Sequence, residues 1–235
     1  MDNVRRRCGA YLAPDGMMEW RVWAPRAKAV DLIVIDGAAR HVHQMTAESH
    51  GYFSVRRHPV PHGQRYVYSL DRGPDRADPA SCWQPNGVME PSAVVLPSQF
   101  QWTDGQWQGV PREHLVFYEL HVGTFTVEGT FDAVIPRLQS LRQLGVTALE
   151  LMPVGEFPGN RNWGYDGVLP FAPHHSYGGP EGLQRLINAC HESGLACVLD
   201  VVYNHFGPEG SVQSEFGPYF TDHYRTPWGM AVNFD

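Results

Sequence analysis

The sequence predicts a chain of two parts, an all-β sandwich followed by parallel βα units. From about residue 10 to 95, short β-like runs alternate with Gly, Pro and Asp. Beyond a polar bridge, apolar runs instead alternate with stretches of helical periodicity. With 235 residues, 43% of them hydrophobic, the chain is long enough to build both cores. We therefore place the sandwich at 1–96, a linker at 97–113 and the βα units at 114–235.

Three runs in the first part have the composition of strands. They are rich in β-branched and aromatic residues and are bounded by Gly, Pro or Asp, and they read MEWRVW at 18–23, AVDLIVI at 29–35 and RYVYSL at 65–70. Short strands separated by turns in this way are typical of a small β-sandwich.

The second part opens with a strand, a helix and another strand. The run LVFYEL at 115–120 predicts the first strand. Apolar residues then recur at helical spacing over 131–144, and Gly145 follows the last of them. The next strand is predicted at 146–151 from VTALEL. Pro136 lies inside the helical pattern, and because proline lacks an N–H we expect a broken first turn there.

A second helix is predicted from Gly179 to about Gly194. Four apolar residues share one of its faces, namely Leu183, Leu186, Ile187 and Cys190. The apolar run at 195–202 predicts a third strand. Strands of this nearly continuous apolar kind, alternating with helices, are typical of parallel sheets buried on both faces. A doubly wound sheet and a (β/α)₈ barrel would each begin in this way.

Charge and composition exclude several classes of partner. The formal net charge is −7, and the basic run Arg5–Arg7 is short and terminal, so we expect a solvated arm and no nucleic-acid partner. No segment approaches the roughly 20 apolar residues that span a bilayer, and the amino terminus lacks the apolar stretch of a secretory signal. The four cysteines show no CxxC spacing, which argues against zinc and disulfides. We expect a cytoplasmic protein without a membrane partner.

Polar and aromatic residues follow the ends of the predicted strands, where parallel α/β folds carry their function. The first strand ends at His121, the second leads into a loop with 162–166, and the third leads into 200–205. The sequence has no GxGxxG, P-loop or GxSxG pattern, and Asp200, His205 and His121 lack metal-ligand spacing. An aromatic ring beside carboxylate, amide and imidazole groups suits a sugar, so carbohydrate is the leading substrate class.

Several motifs resemble a known enzyme family. DVVYNH at 200–205 resembles the first short motif of the α-amylase superfamily (glycoside hydrolase family 13), a barrel family of retaining α-glucan enzymes. A wider set, covering nearly the whole chain, is similar to the maltooligosyltrehalose trehalohydrolases. These motifs are YELHVGTFTVEGTF at 118–131, ELMPVGEFPGNRNWGYDGV at 150–168, YGGPEGL at 177–183, NHFGPEG at 204–210, FGPYFTDHYRTPWG at 216–229 and, upstream, WRVWAP at 20–25, DPASCWQPNGV at 78–88 and FQWTDGQWQG at 100–109.

The resemblance implies a fold, an activity and a sugar-binding site. The fold is a multidomain one, an immunoglobulin-like all-β sandwich that resembles carbohydrate-binding modules, followed by about three strands of a (β/α)₈ TIM barrel. The activity is hydrolysis of α-1,4-glucans, with a maltooligosaccharide or maltooligosyltrehalose as substrate and trehalose released from the latter. We expect no cofactor, and no metal because no calcium-ligand spacing is visible in the sequence. In the site, Tyr165 stacks on the glucose at the −1 subsite and His205 hydrogen-bonds the same sugar. Asp200 supports the site, and Asp166 and Asn204 are further candidates for substrate binding.

The resemblance places the bond-breaking carboxylates outside these residues. In the family they come from the fourth and fifth strands, with a further Asp after the seventh, and this sequence ends at Asp235 soon after the third strand. We therefore assign no catalytic residue, and expect the amino-terminal portion of an enzyme that is inactive alone. An improvised pair of Asp166 and Asp200 is disfavoured, because in the family the position matching Asp200 supports and orients the site. The sequence departs from the family's usual Arg, His and Gly at Cys82, Met89 and Glu90. These departures bear on the local turn geometry and leave the resemblance itself unchanged.

Two alternatives stay open. A glucan branching or debranching enzyme would share the sandwich, the barrel and DVVYNH. A protein of another class, a non-catalytic glucan-binding or non-functional truncated fragment, would show no turnover. The tryptophans of the first part could form a glucan platform, but packing is the simpler interpretation for most of them.

Overall fold

The computed structural model describes residues 7–235, so Arg5 and Arg6 of the basic run lie outside the described residues. The first part of the chain forms two antiparallel sheets, in the orders β1-β2-β6-β5 and β4-β3-β7-β8, with β9 also paired to β7. The strands are β1 (Gly9–Leu12), β2 (Met18–Trp23), β3 (Val30–Asp36), β4 (Ala39–Gln44), β5 (Thr46–Ala47), β6 (Tyr52–Arg57), β7 (Arg65–Leu70), β8 (Asp75–Arg76) and β9 (Ser92–Ala93).

The predicted β-sandwich is confirmed. Strands β2 and β7 have the predicted bounds, and β3 begins one residue later than predicted. The two sheets bury aromatic side chains between them: the rings of Trp20 and Tyr66 meet edge to face with centroids 6.2 Å apart. Both side chains are almost fully buried, as is Leu32 on β3, so the core is built from the inward-facing residues of both sheets.

The sandwich core also contains residues from the far end of the chain. Val212 and Phe216 are buried in the same cluster as the strand residues. They belong to the segment around the short helix α5 (Gln213–Phe216). Next to it, the ring of Tyr219 meets that of Trp23 with centroids 5.1 Å apart. The two parts of the chain therefore share a core.

The second part contains a parallel sheet of three strands in the order β10-β11-β14. Helical residues pack against it in one apolar core, and two separate two-stranded antiparallel sheets, β12-β13 and β15-β16, belong to the same part of the chain. The remaining elements are β10 (Phe117–Leu120), α1 (Val122–Phe125), α2 (Phe131–Val134), α3 (Leu138–Gln143), β11 (Ala148–Leu151), β12 (Gly155–Glu156), β13 (Leu169–Pro173), α4 (Gly179–Glu192), β14 (Ala196–Leu199), β15 (Phe220–Thr226) and β16 (Gly229–Val232).

The helices follow the sequence pattern closely. A 3₁₀ turn at Ile135–Arg137 separates α2 from α3, as the missing N–H of Pro136 predicts. Leu183, Leu186 and Cys190 of α4 are buried against the sheet, with Ile187 packed beside them. The linker predicted at 97–113 begins with a 3₁₀ turn, Pro97–Gln99, and a second 3₁₀ turn, Arg112–His114, extends one residue past its predicted end. The bounds of the linker stay a prediction.

The third parallel strand is shorter than predicted. The apolar run extends to Val202, but β14 ends at Leu199, which pairs with Leu151 at the last position of β11. The N–H of Asp200 still donates to the carbonyl of Leu151 at 2.9 Å, and the ladder ends there. With no further register partner on β11, the chain turns away and 200–205 become a loop. None of the helices among residues 7–235 has the length and apolar composition that a membrane-spanning segment requires.

Candidate substrate site

A cavity of about 590 Å³ lies at the carboxyl end of β14, beside the loop between β12 and β13. All five residues predicted to bind substrate line it, namely Tyr165, Asp166, Asp200, Asn204 and His205. Trp163, Val201, Val202 and Trp228 complete its wall. The site thus combines aromatic faces with carboxylate, amide and imidazole groups, which can stack on a sugar and hydrogen-bond its hydroxyls.

The segment after β14 supplies one side of this cavity. His205 is buried, and its Nδ1 lies 3.2 Å from Asn204 Oδ1, which can only accept, so Nδ1 carries a proton. The carbonyl of Asn204 accepts from the N–H of Val232 at 3.1 Å, and this attaches the β15-β16 hairpin. That hairpin turns at Trp228, whose ring centroid lies 6.5 Å from that of His205. The hairpin therefore brings an aromatic face to the site.

The loop between β12 and β13 supplies the other side, and Asn162 organises it. Its Oδ1 accepts from the backbone N–H of Gly164 at 2.6 Å, and its Nδ2 donates to Asp166 Oδ2 at 2.9 Å. Gly164 has φ +97°, and a Cβ there would lie 2.6 Å from the Pro153 carbonyl oxygen, so only glycine fits. This turn presents Trp163 and Tyr165 with exposed rings, 79% and 41% accessible.

Two tryptophans of the cavity, Trp163 and Trp228, are not among the residues that the sequence predicts to bind substrate. Trp163 lies two residues before Tyr165 in the same loop, and that proximity was a usable signal. Nothing in the local sequence places Trp228 there, because it reaches the cavity through the pairing of Val232 with Asn204.

A second cavity, of about 750 Å³, shares Trp163 with the first. It is lined on one side by His121 and Met152 and on the other by Asn160, Arg161 and Asn162. The Nε2 atom of His121 lies 2.6 Å from the carbonyl oxygen of Asn162 and donates to it. His121 thus holds the loop through the backbone of Asn162.

Metal-ligand atoms come together at one place among residues 7–235, where Glu156, His174 and His175 approach within 4.8 Å. Their hydrogen bonds oppose metal binding. His174 Nδ1 accepts from the backbone N–H of Ser176 at 3.2 Å, so Nε2 carries the ring proton and lacks a free lone pair. Both oxygens of Glu156 accept from His175, one from its N–H at 2.9 Å and one from Nδ1 at 2.7 Å.

Burial shifts the pKa values in this cluster. It raises the pKa of Glu156 to about 7, and the hydrogen bonds from His175 oppose the rise. Burial also lowers the pKa of His174 to about 4, and His175 adds to the effect. His174 is therefore neutral at pH 7, in agreement with its role as an acceptor through Nδ1.

Two family models match the chain. Carbohydrate-binding module 48 (isoamylase N-terminal domain) matches residues 8–81, and the catalytic domain of alpha amylase matches residues 94–226. The first covers most of the sandwich, and the second covers the parallel sheet and every cavity residue except Trp228.

Named relatives agree with these models. The chain is 48% identical to a malto-oligosyltrehalose trehalohydrolase of Saccharolobus solfataricus, over 97% of this chain and 40% of the relative. It is 43% identical to that of Deinococcus radiodurans, over 99% of this chain and 38% of the relative. A pullulanase from Anoxybacillus sp. LM18-11, complexed with maltotriose, superposes with a TM-score of 0.82 at 25% identity, over 97% of this chain and 40% of that one.

The chain thus spans about two fifths of the length of these relatives. The catalytic-domain model alone matches more than half of this chain, from residue 94 to residue 226. The sandwich that precedes the parallel sheet matches the module found at the amino terminus of isoamylases. The chain therefore belongs to the α-amylase family.

Proposed function

We propose that the chain is the substrate-binding, amino-terminal portion of a glycoside hydrolase that acts on α-1,4-glucans and releases trehalose from maltooligosyltrehalose. One observation carries the proposal: the five residues predicted to bind sugar line a single cavity together with the rings of Trp163 and Trp228. The trehalohydrolase names of relatives at 43% and 48% identity support the finer choice of substrate. We further propose a cytoplasmic location, for which the four free cysteines are supporting evidence.

Each side of the cavity has a separate task in this proposal. Tyr165 stacks on the apolar face of one glucose, with Trp163 and Trp228 available to neighbouring units. His205 donates or accepts a hydrogen bond to the same sugar, and its Nδ1 bond to Asn204 fixes the ring orientation. Asp166 is oriented by Asn162 and accepts from a hydroxyl. Asp200 supports the floor of the site directly after β14.

These residues bind and orient the substrate, and the bond-breaking step needs other groups. Retaining hydrolysis uses two carboxyl groups about 5–5.5 Å apart, one as nucleophile and one as acid and base. The family supplies them from later barrel strands, while residues 7–235 contain the first three. We assign neither Asp166 nor Asp200 to that pair.

Binding by the chain is the first test. Titration calorimetry with maltotriosyltrehalose should give saturable binding, and Tyr165→Ala should weaken it at least tenfold, because aromatic contacts contribute about 1 kcal/mol or more beyond their buried area. Phe171→Ala is the matched control, since Phe171 is an exposed aromatic outside the cavity. Equal affinity of wild type and Tyr165→Ala would contradict the assignment of this cavity.

The similarity to a pullulanase complexed with maltotriose favours a second candidate, a glucan debranching or branching enzyme. The two differ in product, so the protein from its source cells is incubated separately with maltotriosyltrehalose and with amylose. Release of free trehalose supports the main proposal. Altered iodine staining of the glucan without trehalose supports the second candidate. Binding without turnover of either substrate supports a non-catalytic glucan-binding protein. The absence of both binding and turnover supports a non-functional fragment.

A further inference from the structure

Residues 157–166, here called the substrate loop, carry three of the aromatic and acidic groups of the cavity: Trp163, Tyr165 and Asp166. The loop has little regular structure between β12 and β13, so its position depends on side chains that bond to its backbone. His121 holds its middle through the carbonyl of Asn162. The first residues of the loop, 157–159, are contacted by a different side chain.

His174 makes those contacts. Its Nε2 lies 3.2 Å from the carbonyl oxygen of Phe157 and 3.1 Å from that of Gly159. Its ring also stacks on the ring of Phe157, with centroids 3.7 Å apart and planes 20° apart. His174 is completely buried, so no water competes for these bonds. The beginning of the substrate loop is thus held by one imidazole from the end of β13.

The other ring nitrogen fixes which of these bonds is a donor. The backbone N–H of Ser176 points at Nδ1, and Ser176 Oγ lies 2.8 Å from the same atom. A backbone N–H can only donate, so Nδ1 accepts and Nε2 bears the proton. The proton on Nε2 then donates to the two loop carbonyls, which can only accept. One histidine therefore links the turn before α4 to the substrate loop.

We propose that His174 is a positioning residue for substrate binding, whose neutral ring, protonated on Nε2, holds residues 157–159 so that Tyr165 and Asp166 face the cavity. This inference rests on the proposed function of that cavity. His174 does not itself line the cavity, so its effect on binding passes through the loop backbone.

Two substitutions separate the two ends of the ring. In His174→Asn the amide occupies the position of Nδ1, so it can still accept from Ser176 but cannot reach the carbonyls of Phe157 and Gly159. In His174→Gln the amide nitrogen occupies the position of Nε2, so it can donate to these carbonyls but leaves the N–H of Ser176 unpaired. The same two changes at His58, an exposed histidine of the sandwich, are matched controls.

Hydrogen–deuterium exchange of the full chain tests the positioning directly. His174→Asn should raise the exchange of amides 160–166 about tenfold, the value expected for losing hydrogen bonds with a net contribution of about 1.4 kcal/mol. His174→Gln should leave loop exchange close to wild type and lower the melting temperature through the unpaired N–H. Unchanged loop exchange in His174→Asn would overturn the inference, and so would equal exchange in the two variants.

Binding of maltotriosyltrehalose gives the functional readout. We expect about tenfold weaker binding for His174→Asn and near wild-type binding for His174→Gln, in proportion to loop exchange. If wild type does not bind the sugar, the proposed function fails, and loop exchange alone decides whether His174 holds the loop. The ¹⁵N chemical shifts of the His174 ring provide a further check, since a proton on Nδ1 instead of Nε2 would contradict the assigned donor.

Discussion

The ring of Phe216 lies edge-on to that of Tyr68 in the core of the β-sandwich, with centroids 6.3 Å apart and an interplanar angle of 76°. Phe216 belongs to α5, beyond the third parallel strand, and is completely buried. The helix carrying it also bonds to the sandwich surface, where Arg76 Nε donates to Glu215 Oε2 at 2.7 Å. The carbohydrate-binding module 48 domain therefore completes its core with a residue of the catalytic-domain part.

Phe216→Ala should destabilise the chain by about 3–5 kcal/mol, the usual cost of removing a fully buried phenylalanine ring. Urea unfolding followed by tryptophan fluorescence measures the change, because Trp20 is buried in the same core. The control is Phe234→Ala, since Phe234 is 77% exposed, and it should change the free energy of unfolding by no more than about 0.5 kcal/mol. Equal effects of the two substitutions would mean that α5 does not contribute to the sandwich core.

The strands and main helices could be predicted because their signals are local. The strand β7 has the predicted bounds, and the break at Pro136 follows from a missing N–H. The insertion of α5 could not be predicted, because four residues carry no periodic pattern and their burial depends on contacts with distant strands. The end of β14 at Leu199 likewise depends on where β11 stops offering partners, which the apolar run to Val202 does not reveal.

Asp78 should make the sandwich less stable as the pH rises from about 4 to about 6. Burial raises the pKa of Asp78 from 3.8 to about 6, although Tyr66 donates to its Oδ2 at 2.7 Å. The folded state then holds a proton that the unfolded state releases, so stability is highest below pH 3.8 and is lost as the pH passes 6. Urea unfolding at pH 4, 5, 6 and 7 measures this dependence.

The matched variant is Asp78→Asn, which cannot titrate and keeps an acceptor for the Tyr66 hydroxyl. The difference in unfolding free energy between variant and wild type should grow in favour of the variant from pH 4 to pH 6 and then level off. A difference that stays constant over this range would show that Asp78 does not titrate in the folded state.

Gly207→Ala should weaken sugar binding without removing any side chain from the cavity. A Cβ at Gly207 would lie 2.2 Å from the carbonyl oxygen of Asp166, so the two backbones must separate. Overpacking of this kind costs about 1–3 kcal/mol, and the displaced Asp166 should lower the affinity for maltotriosyltrehalose about tenfold. Calorimetry checks this, with Gly105→Ala as control because a Cβ there meets no atom within 4 Å. Wild-type affinity in Gly207→Ala would mean that Asp166 makes no contribution to binding.

The candidate site was predictable where it follows directly from strand order. Asp200 and His205 lie at and just beyond the end of a predicted parallel strand, and Tyr165 lies in the loop after the neighbouring strand, so the carboxyl edge of the sheet brings them together. The supporting residue His174 was not predictable. Its role depends on which ring nitrogen faces Ser176 and which faces the loop, and that is set by the three-dimensional path of β13 and the substrate loop.

Glu156→Gln should remove a pH dependence from the catalytic-domain part. Burial raises the pKa of Glu156 from 4.5 to about 7, so the protonated acid stabilises the fold below pH 4.5, and that stability is lost as the pH rises through 7. Glutamine stays neutral and retains an acceptor for the N–H or the Nδ1 proton of His175. The unfolding free energy of the variant relative to wild type should therefore rise between pH 5 and pH 7 and change little from pH 7 to 8.

The measurement is made in the Asp78→Asn background, where the sandwich carboxylate no longer contributes. A relative stability that is flat from pH 5 to 7 would mean that Glu156 is ionised throughout, held so by its two bonds from His175.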